Sequence, residues 1–132
     1  MGDFKFDIPE EYRSPEAIEV AIVLMEFWLK NRDKKLLFYS DLCGMVSFRT
    51  DPRHVDRFLG DISFACKENG LPPLSAIVVN KEDFIPGAGF FSAYFPGKKI
   101  KKDERDKIIM GIYKEIREYP YWDKVLEKYK NL

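Results

Sequence analysis

Residues 50–70 read TDPRHVDRFLGDISFACKENG, and this stretch decides the fold. It opens with a helix-start signal, a capping Asp51 followed by Pro52 at the first helical position. Asn69-Gly70 is a typical stop signal. Between them, apolar residues recur at the i, i+3, i+4, i+7 spacing of an amphipathic helix, namely Val55, Phe58, Leu59, Ile62, Ala65 and Cys66. The stretch therefore predicts one amphipathic helix with a defined beginning and end.

The segment before this helix predicts a second, shorter one. Residues 36–39 (LLFY) form a brief apolar run that is either a strand or the entry to a turn. Ser40 is expected to cap a short helix that passes through Cys43 and stops near Gly44 and Met45. Two helices separated by a short turn are thus expected in this part of the chain.

The segment after the long helix predicts a β-hairpin. Leu74–Val79 is rich in β-branched residues and follows Pro72-Pro73, which is typical of a strand. Residues 80–89 contain asparagine, aspartate, proline and two glycines, and this composition indicates a loop of the hairpin or wing type. Residues 90–95 (FFSAYF) are expected to form the return strand.

The N-terminal part of the chain predicts a buried helix. Ser14 is a candidate cap, Pro15 takes the first helical position, and residues 18–29 are apolar at nearly every position. Residues 31–35 are expected to end this helix. Residues 1–13, which mix charged and aromatic side chains, predict an extended arm or a short edge strand.

The last third of the chain predicts two more helices. Asp103 is a candidate cap for the first, Pro120 closes it, and a short final helix covers residues 122–129. With no internal repeat and no linker, residues 1–132 are expected to form a single domain. The predicted fold is a mainly helical α+β domain with a winged-helix-like helix-turn-helix and a β-hairpin.

This order of elements favours DNA binding. In a winged helix the second helix of the pair enters the major groove and the hairpin contacts the DNA nearby. The helix that begins at Pro52 would then read the bases. Candidate contacts are Arg49, Arg53, His54 and Arg57 around its start, and Lys98, Lys99, Lys101 and Lys102 after the hairpin. The alternative for both groups is a solvated surface with i, i+4 ion pairs.

Three short motifs carry a resemblance to a known family. They are FYSDL at residues 38–42, RFLG at residues 57–60 and IVVN at residues 77–80. Over residues 36–90 the sequence resembles the C-terminal winged-helix domain of alkylguanine-DNA alkyltransferases and alkyltransferase-like proteins. The resemblance implies that Tyr39 contacts a phosphate of the DNA and that Arg57 fills the space that a displaced base leaves in the stack.

The resemblance does not extend to the reaction. Ser75 stands where that family has its acceptor cysteine or a tryptophan, and Ala76 stands where it has histidine. A serine without a neighbouring base cannot replace a thiolate as alkyl acceptor. The resemblance therefore implies a DNA-binding module without methyl transfer.

Charge and cysteine content limit the remaining classes. Lys+Arg 22 balances Asp+Glu 22, and this zero net charge argues against a general, non-specific DNA-binding protein but leaves room for a local basic face. Cys43 and Cys66 are far apart and lie in apolar sequence, so we expect small buried residues rather than metal ligands or a disulfide. With no signal peptide and no membrane span, a cytoplasmic protein is expected.

No residue set predicts an active site. His54 is the sole histidine and no nucleophile elbow accompanies it, while Gly87-Ala88-Gly89 lacks the strand-to-helix context of a dinucleotide site. We expect no cofactor and no metal. The alternative function is a small protein-interaction module, a regulator or inhibitor of a larger assembly, that contacts its partner through Phe90-Phe91 of the hairpin.

Overall fold

The computed structural model describes residues 4–31 and 36–132. The described part of the chain is a mainly helical α+β structure with a two-stranded sheet. Its helices are α1 (Pro15–Lys30), α2 (Tyr39–Met45), α3 (Pro52–Glu68), α4 (Ala88–Tyr94), α5 (Lys102–Glu118) and α6 (Trp122–Lys130). Its strands are β1 (Leu37–Phe38) and β2 (Val78–Val79), and single turns of 3-10 helix cover Glu10–Tyr12 and Leu74–Ile77.

Helix α3 lies at the centre of the fold. It packs against α1, α2, α4 and both 3-10 turns. The apolar stripe predicted from the sequence is the face that it buries, with Val55, Leu59, Ile62 and Cys66 each at most 3% exposed. Each fully buried side chain of this size contributes roughly 1.5–3 kcal/mol to folding. Helix α6 packs on α1 and adds Trp122, Val125 and Tyr129 to the same core.

The predicted helix ends are confirmed where the sequence signals are strongest. The Ser14 hydroxyl accepts a hydrogen bond from the Ala17 N–H at 3.1 Å, and the Asp51 carboxylate accepts one from the His54 N–H at 2.9 Å. Both caps are followed by proline. At the other end of α3, Gly70 adopts a left-handed φ of 71°, and the Leu71 N–H bonds to the Cys66 carbonyl at 2.9 Å.

The predicted β-hairpin is wrong. Residues 74–77 form a 3-10 turn, and only Val78 and Val79 are extended, paired in parallel with Leu37 and Phe38. Residues 90–94, expected in the return strand, belong to α4. Phe90 and Phe91 are both buried, and the Phe90 ring stacks on that of Tyr94, one helical turn further, at 5.9 Å. A short apolar run fits a buried helix as well as a strand, and tertiary packing decides for the helix here.

Smaller corrections concern how several elements begin or end. α2 begins at Tyr39, so Ser40 lies in its first turn and does not cap it. α5 begins at Lys102, and Asp103 complements the helix dipole from the first turn instead of capping. Residues 4–9 form no strand. α1 ends at Lys30, and the predicted ending segment at residues 32–35 lies outside the described residues, as do residues 1–3.

None of the helices in the described ranges combines the length and the apolar character needed to cross a bilayer.

The helix stop at Gly70 gives a stability test with an internal control. We expect Gly70→Ala to lower the free energy of unfolding by about 1 kcal/mol, because an L side chain disfavours a positive φ. Gly111→Ala, an exposed position inside α5 with open space around a new Cβ, should instead raise it by about 0.5 kcal/mol through helix propensity. Urea denaturation of both variants measures the difference, and equal effects would contradict the assigned backbone conformations.

Candidate nucleic-acid interface and the adjoining groove

The first two turns of α3 present basic side chains to solvent. Arg53, His54 and Arg57 are all exposed. The N-cap Asp51 fixes His54, because its carboxylate accepts from the His54 N–H and also lies 2.9 Å from the imidazole Nδ1. These hydrogen bonds hold the pKa of Asp51 below its ordinary value. His54 is therefore tied to the helix cap, whereas the two arginines extend from it.

The two arginines differ in their acidic neighbours. Within residues 4–31 and 36–132, neither guanidinium has a carboxylate within 4.0 Å. Arg57 lies one turn before Asp61, whose pKa is raised by partial burial and lowered in part by the Arg57 charge. Arg57 thus interacts with Asp61 through their charges, without the close ion pair that the solvated-surface alternative predicts. The corresponding acid for Arg53 is Asp56, one turn further along α3, with which it forms no ion pair within 4.0 Å.

The turn between α2 and α3 carries Arg49 at the same end of α3. The Glu19 carboxylate of α1 accepts hydrogen bonds from both the N–H and the hydroxyl of Ser47. The Phe48 ring packs edge-on against Phe58 of α3, with their centroids 5.6 Å apart. The turn is therefore fixed to two helices, and the exposed Arg49 follows it directly.

The lysine run lies elsewhere. Lys98, Lys99, Lys101 and Lys102 are exposed and follow the C-terminal end of α4. That end is placed by Lys67 near the end of α3, whose ammonium donates to the Tyr94 carbonyl at 3.2 Å. Lys67 is 67 − 53 = 14 residues beyond Arg53, which is roughly 21 Å along a helix at 1.5 Å per residue. The predicted basic residues therefore form two regions at opposite ends of α3.

Tyr39 is not on either basic surface. Its side chain is 9% exposed, and its hydroxyl accepts a hydrogen bond from the Gly87 N–H at 3.0 Å. Burial raises the pKa of Tyr39 to about 12, so the phenol stays neutral. This position conflicts with the phosphate contact that the family resemblance implied, and gives Tyr39 the role of joining α2 to the start of α4.

Asp56 is the residue of this region that the sequence did not single out. It is half-buried beside Tyr39, and partial burial raises the pKa of its carboxyl, an effect that a hydrogen bond from the Tyr39 hydroxyl partly offsets. A Cβ on Gly89 would collide with the Asp56 carboxylate. Glycine at position 89 of the Gly87-Ala88-Gly89 motif therefore lets the start of α4 lie against this acid without displacing the carboxylate.

A surface groove of about 270 Å³ lies between the start of α3 and the start of α4. Asp56 and Tyr39 line its inner part, and Arg53 and Asn80 also line it. The remaining lining residues are Pro52, Gly87, Ala88 and Gly89. These lining residues form no recognisable sequence motif, because the groove forms only when α4 packs on α3. The one sequence feature that could have indicated it is the i, i+3 spacing of Arg53 and Asp56.

Ser75, the position matched to the family's alkyl acceptor, lies inside the protein. It is 3% exposed, and its hydroxyl forms a hydrogen bond with the hydroxyl of Ser63. Because Ser63 donates to the Leu59 carbonyl at 3.1 Å, Ser75 is the donor in this pair. The two serines are a satisfied polar pair in the core.

Two further expectations meet the structure here. Phe90 and Phe91 are 5% and 3% exposed, so the protein contact predicted through these rings is wrong for this fold. Cys66 is buried, as expected, and burial raises the pKa of its thiol to about 12, while Cys43 is half-buried.

Comparison with protein-family models, with curated proteins and with solved structures gives no match for this chain.

The Tyr39 hydroxyl gives a second test. We expect Tyr39→Phe to lower the free energy of unfolding by about 1 kcal/mol, because it leaves the Gly87 N–H without its acceptor. In the same variant the pKa of Asp56 should rise further, since the hydroxyl that favours the carboxylate is gone. Denaturation and an NMR titration of the Asp56 carboxyl measure the two effects. Tyr121→Phe, which removes an exposed hydroxyl, is the control and should change neither.

Proposed function

We propose that this domain binds DNA by placing the first two turns of α3 in the major groove. The observation that carries the proposal is the position of Arg53 and Arg57, exposed at the N-terminal end of α3, the second of two consecutive helices that we interpret as a helix-turn-helix pair. In such pairs the N-terminal residues of the second helix contact base edges. Arginine is the side chain that most often makes specific base contacts there, through its bidentate geometry.

The surroundings of α3 support this end of the helix rather than the other. The C-terminal half is covered on its outer side, where the Tyr12 ring stacks on Phe64 at 5.5 Å. Tyr12 itself lies beside the acidic side chains of Asp61 and Glu68. That face of α3 would repel phosphate, whereas the basic end favours it through the arginines, the helix dipole and Arg49.

The lysine run supplies a second contact in this proposal. The run follows the end of α4 that Lys67 contacts, and Lys67 lies roughly 21 Å along α3 from Arg53. We expect the lysines to contact phosphates some distance from the bases that the arginines read. We describe the domain as helix-turn-helix-like, because α4 occupies the place expected for a wing. The alkyltransferase resemblance adds one specific element to the proposal, the insertion of Arg57 into the base stack.

The test is fluorescence anisotropy of a labelled duplex at two salt concentrations. We expect salt-sensitive binding, and an Arg53→Ala/Arg57→Ala variant should bind at least ten-fold more weakly, since each arginine contact contributes about 1–3 kcal/mol. The matched control is Lys107→Ala/Arg117→Ala, which removes two exposed charges from α5 and should bind like the wild type. Binding that neither salt nor the arginine variant weakens would overturn the proposal.

A further inference from the structure

The groove between α3 and α4 holds two opposite charges that do not pair. Arg53 and Asp56 both line it and lie three residues apart on α3. No ion pair within 4.0 Å joins them. Residues at this spacing on a helix are neighbours and commonly form such pairs. The groove therefore offers a guanidinium and a carboxylate that remain available to a ligand.

The carboxylate lies on the inner side of the groove. Asp56 lines a cavity together with Tyr39 and lies against Gly89 at the start of α4. Tyr39 is fixed in turn by the Gly87 N–H at 3.0 Å. Arg53 is exposed and lines the outer side of the groove. The half-buried carboxylate and the exposed guanidinium thus leave room between them for a ligand.

We propose that this groove binds a free α-amino acid, with its ammonium group on Asp56 and its carboxylate on Arg53. Both contacts are charge-assisted hydrogen bonds, and the arginine–carboxylate contact can be bidentate. The Asn80 side chain, which also lines the groove, offers both a donor and an acceptor to the ligand. Pro52 and Ala88 provide the apolar surface for the ligand's side chain.

Size and charge favour this class over others. At about 270 Å³ the groove is smaller than most drug-sized pockets, which span roughly 300–1,000 Å³, so it suits a small ligand. A simple anion would bring its charge near Asp56, and a simple cation would bring its charge near Arg53. A neutral apolar molecule would leave both charged groups without a partner. A zwitterion satisfies both, and α-amino acids carry the two charges at short separation.

The experiment is an NMR titration of the ¹⁵N-labelled full chain with each proteinogenic L-amino acid in turn. We expect at least one of them to shift the backbone amides of Gly87, Ala88 and Gly89 and the side-chain amide of Asn80. The N-acetylated and the C-amidated forms of that amino acid each lack one charge and should bind at least ten-fold more weakly. If no amino acid shifts these amides, or if a blocked form binds equally well, the proposal is overturned.

Asp56 and Arg57 separate this site from the proposed DNA contact, whereas Arg53 belongs to both. Arg53→Gln and Asp56→Asn should each weaken amino-acid binding at least ten-fold, whereas Arg57→Gln should leave it unchanged, because Arg57 does not line the groove. Unaltered NMR spectra outside the groove check that each variant is folded. If Asp56→Asn unfolds, Arg53→Gln still tests the proposal, because the exposed Arg53 side chain is not needed for folding. Retained binding in Arg53→Gln would contradict the assignment. DNA binding can fail without affecting any of these results.

Discussion

The burial of one face of α3 is the constraint on which the rest of the structure depends. Its side chains Val55, Leu59, Ile62 and Cys66 contact the core from the middle of the chain, and α1, α2 and α4 all pack around them. Because the buried stripe covers only part of the helix circumference, its orientation determines what remains exposed. The arginines of the first two turns face solvent for this reason. The groove beside them follows from the packing of α4 on the same helix.

Short sequence signals predicted those helix starts and ends that depend only on neighbouring residues. The caps at Ser14 and Asp51, the prolines after them and the stop at Gly70 depend on neighbouring residues, and the structure confirms each. The exposed basic end of α3 was predicted from the same helical pattern. The hairpin failed because residues 90–94 are apolar without a clear period, so that burial against α3 selects a helix. No sequence window shows which distant element will cover such a run.

The groove was missed for a related reason. Asp56 reads in the sequence as one more acid that dilutes a basic helix start, and its significance comes from Gly89, 33 residues further along (89 − 56 = 33). A close contact between a carboxylate and a distant backbone segment leaves no repeating pattern in the sequence, so it cannot be predicted from spacing. Ser75 shows the opposite case. The family resemblance matched it to the alkyl-acceptor position, but its hydroxyl is buried in the core and bonded to Ser63.

The two-residue parallel sheet has a consequence for the order of folding. Leu37 and Val78 pair across 78 − 37 = 41 residues, and closing a flexible loop of that length costs roughly 3 kcal/mol in chain entropy. A ladder of two residues gains only about 1 kcal/mol for each hydrogen bond, so it cannot close the loop by itself. We therefore expect the strands to pair only after α2 and α3 have packed together and shortened the path between them. The sheet is thus expected to form late, as a consequence of helix packing.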